Sequence, residues 1–257
     1  MNLKNAVSSY GEAGNPAILF VHGIRLGREI WNQHATQLAH RYHVVTLDLP
    51  GHGALAGVPF TQENVQAVVD EAIAGVAGTA PLIVGYSLGG FVAMRYAVRN
   101  PEKTAALLLA GCTLDFEGWK WWPYGASVAF ANRLPDFWLN TMLNASLYLS
   151  LPRHWVDIIE QIPFDRDVLT QTSAIVRSSQ NALAEIGKYR KPVLIVNGEF
   201  DLAFRWDERR FLHRLPQARL RIMHGVDHTG PLRRSAEFRS IVEEFAGKVF
   251  AHPKPTG

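Results

Sequence analysis

The residues with the clearest chemical potential lie at positions 85–89, where the sequence is Gly-Tyr-Ser-Leu-Gly. An apolar stretch, LIVGY, leads directly into Ser87, and a helical pattern, LGGFVAMRYAVR, follows it. A serine at such a strand-to-helix turn projects its hydroxyl from the sheet edge, beside a helix N-terminus that favours developing negative charge. A glycine-rich turn that contains serine by chance is the alternative. The strand and helix, in this order, favour a nucleophilic Ser87.

Three further motifs accompany this serine turn along the chain. Residues 21–24 (VHGI) follow the first clear strand, residues 48–53 (DLPGHG) follow the next one, and an acidic loop and a histidine lie downstream. Through these four motifs nearly the whole chain resembles the α/β-hydrolase fold superfamily, in its capped esterase, lipase and lactonase branches. The resemblance implies a mostly parallel sheet flanked by helices, with hydrolysis at a serine, and it says almost nothing about the substrate.

The resemblance places an acid after the strand at residues 193–196, in the segment Asn-Gly-Glu-Phe-Asp that ends at Asp201. A carboxylate there would be presented to the histidine. Two other carboxylates compete with it: Glu199 in the same loop, and Asp115, because some family members carry the acid after an earlier strand. Asp201 could also be the N-cap of a helix predicted near residues 206–215.

Ten histidines are present, so position must decide which one takes part. His228 lies in the segment GVDHTGP, which matches the loop where the family carries its histidine, and the chain order is then serine, acid, histidine. His224 is its nearest rival, at the end of a weak strand, and His22 is expected to have a structural role. No pair of histidines has the spacing and acidic company of a metal site.

The resemblance implies a complete hydrolytic mechanism for these residues. His228 takes the proton of Ser87 as the serine attacks a carbonyl carbon, and Asp201 orients the imidazole. The backbone N–H groups of Ile24 and Leu88 form the oxyanion hole. Water then releases the acyl group, and no cofactor is needed.

The candidate residues follow short apolar stretches that we interpret as strands. Stretches with little alternation are typical of strands buried on both faces of a parallel sheet. The predicted strands are residues 17–21, 44–47, 82–85, 105–110, 193–196 and, more weakly, 220–223. Helical spacing of apolar residues predicts helices at residues 27–40, 61–77 and 89–98. One further strand fits near residues 5–10, so we expect seven strands or the eight that are usual in the family.

The alternation of strands and helices stops between residues 113 and 188. We interpret this segment as a helical cap inserted into a core domain made of residues 1–112 and 189–257. Five of the seven tryptophans fall in it. Most such rings join a cap to its sheet, but amphipathic aromatic rings can also line an apolar pocket above the serine. The candidates for that pocket are Trp119, Trp122, Trp138 and Trp155.

The composition fits one globular unit of this kind. With 47% hydrophobic and 19% charged residues, the chain is neither disordered nor fibrous, and its single cysteine, Cys112, excludes a disulfide framework. The net charge of +3 comes without a run of lysine and arginine, so we expect no nucleic-acid partner. No apolar stretch has the length of a secretory signal or a membrane span, so we expect a cytoplasmic protein without stable membrane insertion.

The sequence therefore predicts a serine hydrolase that cleaves carboxylic esters or lactones of small to medium, apolar substrates. One alternative is a C–C bond hydrolase of the same fold acting on diketone-type substrates. Another is a non-catalytic member that binds a small ligand in the same pocket. The sequence carries no indication of the oligomeric state.

Overall fold

A seven-stranded, mostly parallel sheet forms the centre of the computed structural model, which describes residues 2–76, 78, 80–116, 118–178 and 185–251. The strands are β1 (Val7–Tyr10), β2 (Ala17–Val21), β3 (His43–Leu47), β4 (Leu82–Tyr86), β5 (Ala106–Ala110), β6 (Val193–Gly198) and β7 (Ala218–Met223). Their order across the sheet is β1-β3-β2-β4-β5-β6-β7. Among these strands only β1 runs antiparallel to its neighbour.

Helices cover both faces of the sheet. Those in the first half of the chain are α1 (Asn32–Leu38), α2 (Gln62–Ala74) and α3 (Leu88–Arg99). Between β5 and β6 lie α4 (Trp121–Arg133), α5 (Asp136–Ser150), α6 (Arg153–Glu160) and α7 (Val168–Ser178). The last ones are α8 (Leu202–Arg205), α9 (Glu208–Arg214), α10 (Gly230–Arg233) and α11 (Ser235–Phe250). None of these helices is both long enough and apolar enough to span a bilayer.

Burial explains why the sequence patterns of the strands differ. Every residue of β2 through β6 is buried, because two hydrophobic clusters cover the two faces of the sheet. These strands therefore carry nearly continuous apolar residues. β7 lies at the edge and is largely exposed along its middle, where arginines flank Leu220, so its apolar pattern is weak. The predicted α/β fold and the count of seven strands are confirmed.

The helices differ from their predicted extents in detail. The predicted helix at residues 27–40 is a short 3₁₀ turn, Arg28–Trp31, that continues into α1. The one predicted at residues 61–77 starts after Thr61, whose Oγ1 accepts the N–H of Asn64 at 3.2 Å. Its predicted last residue, Ala77, lies outside the described residues.

The strand order creates one point at which the connections change direction. From β2 the chain moves to β3 on one side, and it then returns to β4 on the other side of β2. In open parallel sheets, ligands bind outside the carboxyl ends of the strands at such a switch point. The loops that follow β2 and β4 are therefore the expected place for a site.

Candidate active site

Ser87 stands directly after β4 in a backbone conformation that non-glycine residues rarely adopt. Its φ is 53° and its ψ is −118°, and its N–H donates to the carbonyl oxygen of Ala110 at 2.8 Å. The turn is possible only because its flanks lack side chains. A Cβ on Gly85 would lie 2.5 Å from the carbonyl oxygen of Gly89, and one on Gly89 would collide with the main chain of Val21. The predicted small residues around the serine thus permit the close crossing of α3 and β4.

Ser87, His228 and Asp201 form a continuous hydrogen-bonded chain. The Nε2 atom of His228 is 3.0 Å from Ser87 Oγ, and its Nδ1 atom is 2.8 Å from Asp201 Oδ2. Because an ionised carboxylate only accepts hydrogen bonds, Nδ1 carries the imidazole proton. Nε2 is then free to accept the proton of the Ser87 hydroxyl. The three side chains come from the loops after β4, β6 and β7.

The carboxylates that compete with Asp201 have other partners. Asp115 Oδ2 lies 3.0 Å from a guanidinium nitrogen of Arg210, and Glu199 accepts a backbone N–H at 2.8 Å in the loop before His228. Asp201 does occupy the N-cap position of α8, but its side chain makes no capping hydrogen bond. Its buried carboxylate instead meets His228. Of the three carboxylates considered from the sequence, the structure brings Asp201 to the histidine.

His224, the rival histidine, follows β7 directly and is largely exposed. Its Nδ1 atom lies 3.5 Å from a carboxylate oxygen of Glu199. The structure thus places His224 beside Glu199 at the surface and His228 beside the serine.

Three residues that the sequence analysis did not single out surround the His228 imidazole. The ring of Phe204 stacks on it with the ring centroids 4.5 Å apart, and the Tyr86 hydroxyl donates to the His228 carbonyl oxygen at 2.9 Å. A Cβ on Gly111 would lie 2.8 Å from its Cε1 atom. Burial raises the pKa of Tyr86, so its phenol keeps its proton. The position of Tyr86, directly before the serine, was the one available sequence signal.

The loop after β2 lies against Ser87. A Cβ on Gly23 would be 3.2 Å from the Ser87 Cβ, so the Gly23–Ile24 peptide passes beside the serine. Leu88 is the first residue of α3, directly after the serine. The backbone N–H groups of Ile24 and Leu88 therefore belong to the two loops at the switch point of the sheet.

His22 has the structural place that the sequence suggested. It is fully buried; its Nδ1 atom lies 2.7 Å from the carbonyl oxygen of Gly23, and its Nε2 atom accepts the N–H of Leu49 at 3.0 Å. Burial lowers the pKa of His22 to about 4, so the ring is neutral at pH 7. The imidazole thus joins the loops after β2 and β3.

The four candidate pocket tryptophans have different surroundings. Trp155 is only 3% exposed, it packs in the hydrophobic core, and its indole N–H donates to the carbonyl oxygen of Leu232 at 2.8 Å. Trp119, Trp122 and Trp138 are 66%, 75% and 60% exposed. The place of all four in a pocket stays a prediction.

Among the described residues, no group of three or more His, Cys, Asp or Glu side chains converges as metal ligands would. Cys112 is buried beyond the end of β5 next to Gly90, and burial raises the pKa of its thiol. The chemistry available at the switch point is therefore that of the serine, the imidazole, the carboxylate and the backbone amides.

Comparisons with known proteins bear on the fold and the family. The sequence matches the family model described as the alpha/beta hydrolase family over residues 18–241. A pimeloyl-[acyl-carrier protein] methyl ester esterase of Nitrosospira multiformis is 28% identical over 229 residues, which cover 80% of this chain and 85% of that protein. A protein of the same name from Neisseria meningitidis is 28% identical over 248 residues, covering 92% of this chain and 78% of its own length.

Solved structures of other proteins have the same fold. One from a study of carboxylesterases of Nitrososphaera gargenis superposes with a TM-score of 0.81 at 17% identity, covering 95% of this chain and 94% of that one. A thermophilic esterase of Thermogutta terrifontis superposes with a TM-score of 0.74 at 20% identity, covering 95% and 93%. At such identities the likeness concerns the fold. The named relatives support the predicted enzyme class, carboxylic ester hydrolase.

The family model runs from β2 into α11 and includes the loops that carry the serine, the carboxylate and the histidine. This chain is therefore a member of the alpha/beta hydrolase family.

Proposed function

We propose that the chain is a serine hydrolase that cleaves carboxylic esters, with Ser87 as nucleophile, His228 as general base and acid, and Asp201 as the group that orients the imidazole. The observation that carries the proposal is the hydrogen-bonded chain from Ser87 Oγ through His228 to Asp201 Oδ2, with distances of 3.0 and 2.8 Å. It lies at the switch point of the sheet, where the strained backbone of Ser87 presents the hydroxyl.

The reaction proceeds in two steps through an acyl-enzyme. As Ser87 Oγ bonds to the ester carbonyl carbon, its proton passes to His228 Nε2, and the imidazolium that forms is stabilised by Asp201. His228 then gives this proton to the departing alkoxide as the C–O bond breaks. In the second step His228 takes a proton from the water that attacks the acyl carbon. It then gives this proton to Ser87 Oγ as the bond to the acyl carbon breaks, which releases the acid and restores the enzyme.

The negative charge that develops on the carbonyl oxygen is stabilised by the backbone N–H groups of Ile24 and Leu88. Leu88 contributes its N–H at the N-terminus of α3, where helix N–H groups lack partners within the helix. Loss of one donor of such a pair costs about 3 kcal/mol of transition-state stabilisation.

We infer that residues 113–188 form a cap over this site. Three contacts support a location above the carboxyl ends of the strands. Arg25 donates to Asn144 of α5, Thr229 Oγ1 lies 3.4 Å from the carbonyl oxygen of Ser150, and His52 and Phe164 form an isolated β-bridge. Each joins this insertion to a loop next to the serine, the histidine or the first oxyanion residue.

Small to medium apolar esters fit this arrangement as substrates, and lactones would react through the same steps because they are internal esters. The relatives are named as esterases of pimeloyl-[acyl-carrier protein] methyl ester, which supports a carboxylic ester as the substrate. The aromatic rings of the cap, Trp119, Trp122 and Trp138, are the candidates for contact with the acyl chain of such an ester. A cytoplasmic location and the absence of a nucleic-acid partner remain predictions from the sequence.

The test is hydrolysis of p-nitrophenyl esters of increasing acyl length and of several lactones by the wild type and by Ser87→Ala. We expect the wild type to hydrolyse short esters and the variant to lose at least about 10³-fold in kcat. Wild-type-like rates in Ser87→Ala would contradict the mechanism. Cleavage of a vinylogous diketone without cleavage of any ester would instead support the C–C hydrolase alternative.

A further inference from the structure

Helix α5 is joined to the loops of the candidate site at two points. In its second half, Asn144 Oδ1 accepts a hydrogen bond from the guanidinium of Arg25, the residue directly after the first proposed oxyanion residue. At its last residue, the carbonyl oxygen of Ser150 lies 3.4 Å from Thr229 Oγ1, directly after His228. These two anchors are about 9 Å apart along the helix axis. The segment of α5 between them therefore lies across the space between the loop after β2 and the loop after β7.

The amide of Asn144 is held in one orientation. Its Oδ1 atom accepts from the Arg25 guanidinium, and its Nδ2 atom donates to Glu160 Oε1 of α6 at 3.0 Å. Because a guanidinium only donates hydrogen bonds and a carboxylate only accepts them, a flipped amide would lose both contacts. The Tyr148 hydroxyl also donates to this carboxylate, at 3.1 Å. The contacts with α6 and with the loop after β2 together restrict the rotation of α5 about its own axis.

This rotation gives α5 an inner and an outer face. Leu139 is 3% exposed and Leu147 is partly buried, whereas Leu149 is 90% exposed. Successive helical residues are about 100° apart, so Leu147 and Leu149 point in nearly opposite directions. Leu147 follows Asn144 by three residues and precedes Ser150 by three, a spacing that keeps side chains on one side of a helix. Leu147 therefore lies between the two anchors, on the inner face.

Leu147 packs against a hydrophobic cluster that extends to the serine. The cluster contains Tyr86, directly before Ser87, and Leu26, in the loop after β2. A Cβ on Gly23 would lie 3.4 Å from Leu26 Cδ1 and 3.2 Å from Ser87 Cβ, so the side chain of Leu26 approaches the serine across Gly23. An ester bound at Ser87 therefore meets apolar surface on this side.

We propose that Leu147 is a specificity-determining residue that forms the wall of the substrate pocket opposite Ser87 and limits the size of the acyl group. An ester must place its carbonyl carbon at Ser87 Oγ, between the loop after β2 and the loop after β7. The segment of α5 that crosses this space presents Leu147 to it, so the acyl group lies between the serine and the leucine. This inference rests on the proposed ester hydrolysis at Ser87.

A purely structural role for Leu147 is the competing explanation, because its side chain also holds α5 on the core domain. Loss of packing lowers the stability of the fold and the fraction of active enzyme. It does not change the ratio of kcat/KM for two substrates measured on the same preparation, because the fraction of active enzyme cancels. A residue that lines the pocket does change this ratio. The readouts are therefore kcat/KM for p-nitrophenyl octanoate and for p-nitrophenyl pivalate, each divided by kcat/KM for p-nitrophenyl acetate.

Substitutions that enlarge and reduce this side chain should move the ratios in opposite directions. Leu147→Phe fills part of the pocket, so we expect the octanoate-to-acetate ratio to fall at least about tenfold. Leu147→Ala leaves room for the branched acyl group of the pivalate, so the pivalate-to-acetate ratio should rise about tenfold. The acetate is small enough to fit in all of these variants, which makes it the reference substrate.

Two other leucines of α5 provide matched controls. Leu149 lies on the outer face, so Leu149→Phe and Leu149→Ala should leave both ratios within about twofold of the wild-type values. Leu139 is buried but precedes the anchor at Asn144, so it lies outside the segment that crosses the site. Leu139→Ala should lower the Tm, because it removes buried apolar atoms, and it should leave both ratios unchanged.

Wild-type ratios in folded Leu147→Phe and Leu147→Ala overturn the inference, as do equal changes in the Leu149 variants. If the Leu147 variants do not fold, a wild-type adduct decides. Ser87 Oγ bonds to the phosphorus atom of a p-nitrophenyl octylphosphonate, p-nitrophenolate leaves, and the hydroxyl proton passes to His228. In the structure of this adduct we expect carbon atoms of the octyl chain within about 4 Å of Leu147. An octyl chain without this contact overturns the inference.

Failure of the proposed function would look different. The wild type would then hydrolyse none of the three esters and would release no p-nitrophenolate from the phosphonate, or Ser87→Ala would remain as active as the wild type. Either result overturns the inference together with the proposed function. An active wild type and an inactive Ser87→Ala, with unchanged ratios in the Leu147 variants, would overturn the inference alone.

Discussion

At the level of single residues, four neighbours restrict the imidazole of His228. Ser87 and Asp201 hold its two nitrogens, Phe204 covers one face, and the backbone of Gly111 approaches its edge. With both nitrogens engaged and one face covered, the ring has one orientation available. A general base must be oriented in this way before its basicity is of use in catalysis.

Replacement of the Asp201 carboxylate tests whether this residue orients the imidazole of His228. We expect Asp201→Asn to lower kcat by about 10³–10⁴-fold, because the amide can stabilise the wrong imidazole tautomer and cannot stabilise the imidazolium. Asp115→Asn is the matched control, since Asp115 pairs with Arg210, and it should change kcat by only a few-fold. Initial rates with a short p-nitrophenyl ester measure both. A larger loss in Asp115→Asn would show that the acid lies after β5.

The backbone of Gly111 lies close to the imidazole of His228, and this contact gives a second prediction. A methyl group there would lie 2.8 Å from His228 Cε1 and 3.3 Å from Asp201 Oδ2, so Gly111→Ala should displace the imidazole and lower kcat by more than about tenfold. Gly57→Ala is the control for backbone strain, because Gly57 also has a positive φ but no atom within 4 Å of its added Cβ. Equal kcat values for the two variants would mean that the contact with His228 has no effect.

At the level of elements, the helices between β5 and β6 separate into a packed part and an exposed part. Trp155 of α6 is anchored to the core through Leu232, whereas Trp122 of α4 and Trp138 of α5 present most of their surface to solvent. Exposed apolar surface can mark a binding site when it is contiguous. The exposed rings are therefore the ones whose function can be tested without damage to the core.

If these rings contact the acyl chain, their removal changes the preference for chain length. We expect Trp119→Ala, Trp122→Ala or Trp138→Ala to reduce the gain in kcat/KM per added methylene, which in a fully apolar pocket is up to about fourfold. Leu220→Ala removes a partly exposed apolar side chain from the edge strand β7 and serves as the control. A panel of p-nitrophenyl esters measures the preference. Unchanged profiles in all three tryptophan variants would contradict a pocket lined by them.

At the level of the whole molecule, buried neutral histidines link stability to pH. Burial lowers the pKa of His22 and His34 to about 4 and that of His52 to about 3 in the folded chain, from 6.5. Below pH 6.5 the unfolded chain takes up protons that the folded chain does not, so stability is full above this pH and falls as the pH decreases. Each of these imidazoles should lower the free energy of unfolding by on the order of 3 kcal/mol at pH 4.

Together these costs are comparable with the whole stability of a typical domain, about 5–15 kcal/mol, so we expect acid unfolding between about pH 6 and pH 4. Urea unfolding at a series of pH values measures how steeply the free energy of unfolding changes with pH. Each imidazole contributes about 1.4 kcal/mol per pH unit to this slope. His34→Leu should remove one such contribution. A free energy of unfolding that is constant between pH 6.5 and pH 4.5 would contradict the prediction.

The sequence by itself determined the strands, their order along the chain and the chemical groups of the candidate site. Continuous apolar stretches predict buried parallel strands, and the spacing of Gly85 and Gly89 around Ser87 predicts a sharp turn, because such signals act between residues close along the chain. The same signals identify the loops that carry Asp201 and His228. They leave Asp115 and Glu199 as rivals of Asp201, because each of the three carboxylates follows a predicted strand within a few residues.

Only the tertiary structure decided which of these groups meet. The pairing of Asp201 with His228, the hydrogen bond from Arg25 to His52 and the burial of Trp155 against Leu232 each join residues far apart along the chain. Such contacts depend on the order and register of the strands and on how the loops pack at the edge of the sheet. A local pattern carries no information about those distances, and for this reason the contact between His52 and Arg25 could not be predicted from the motif that contains His52.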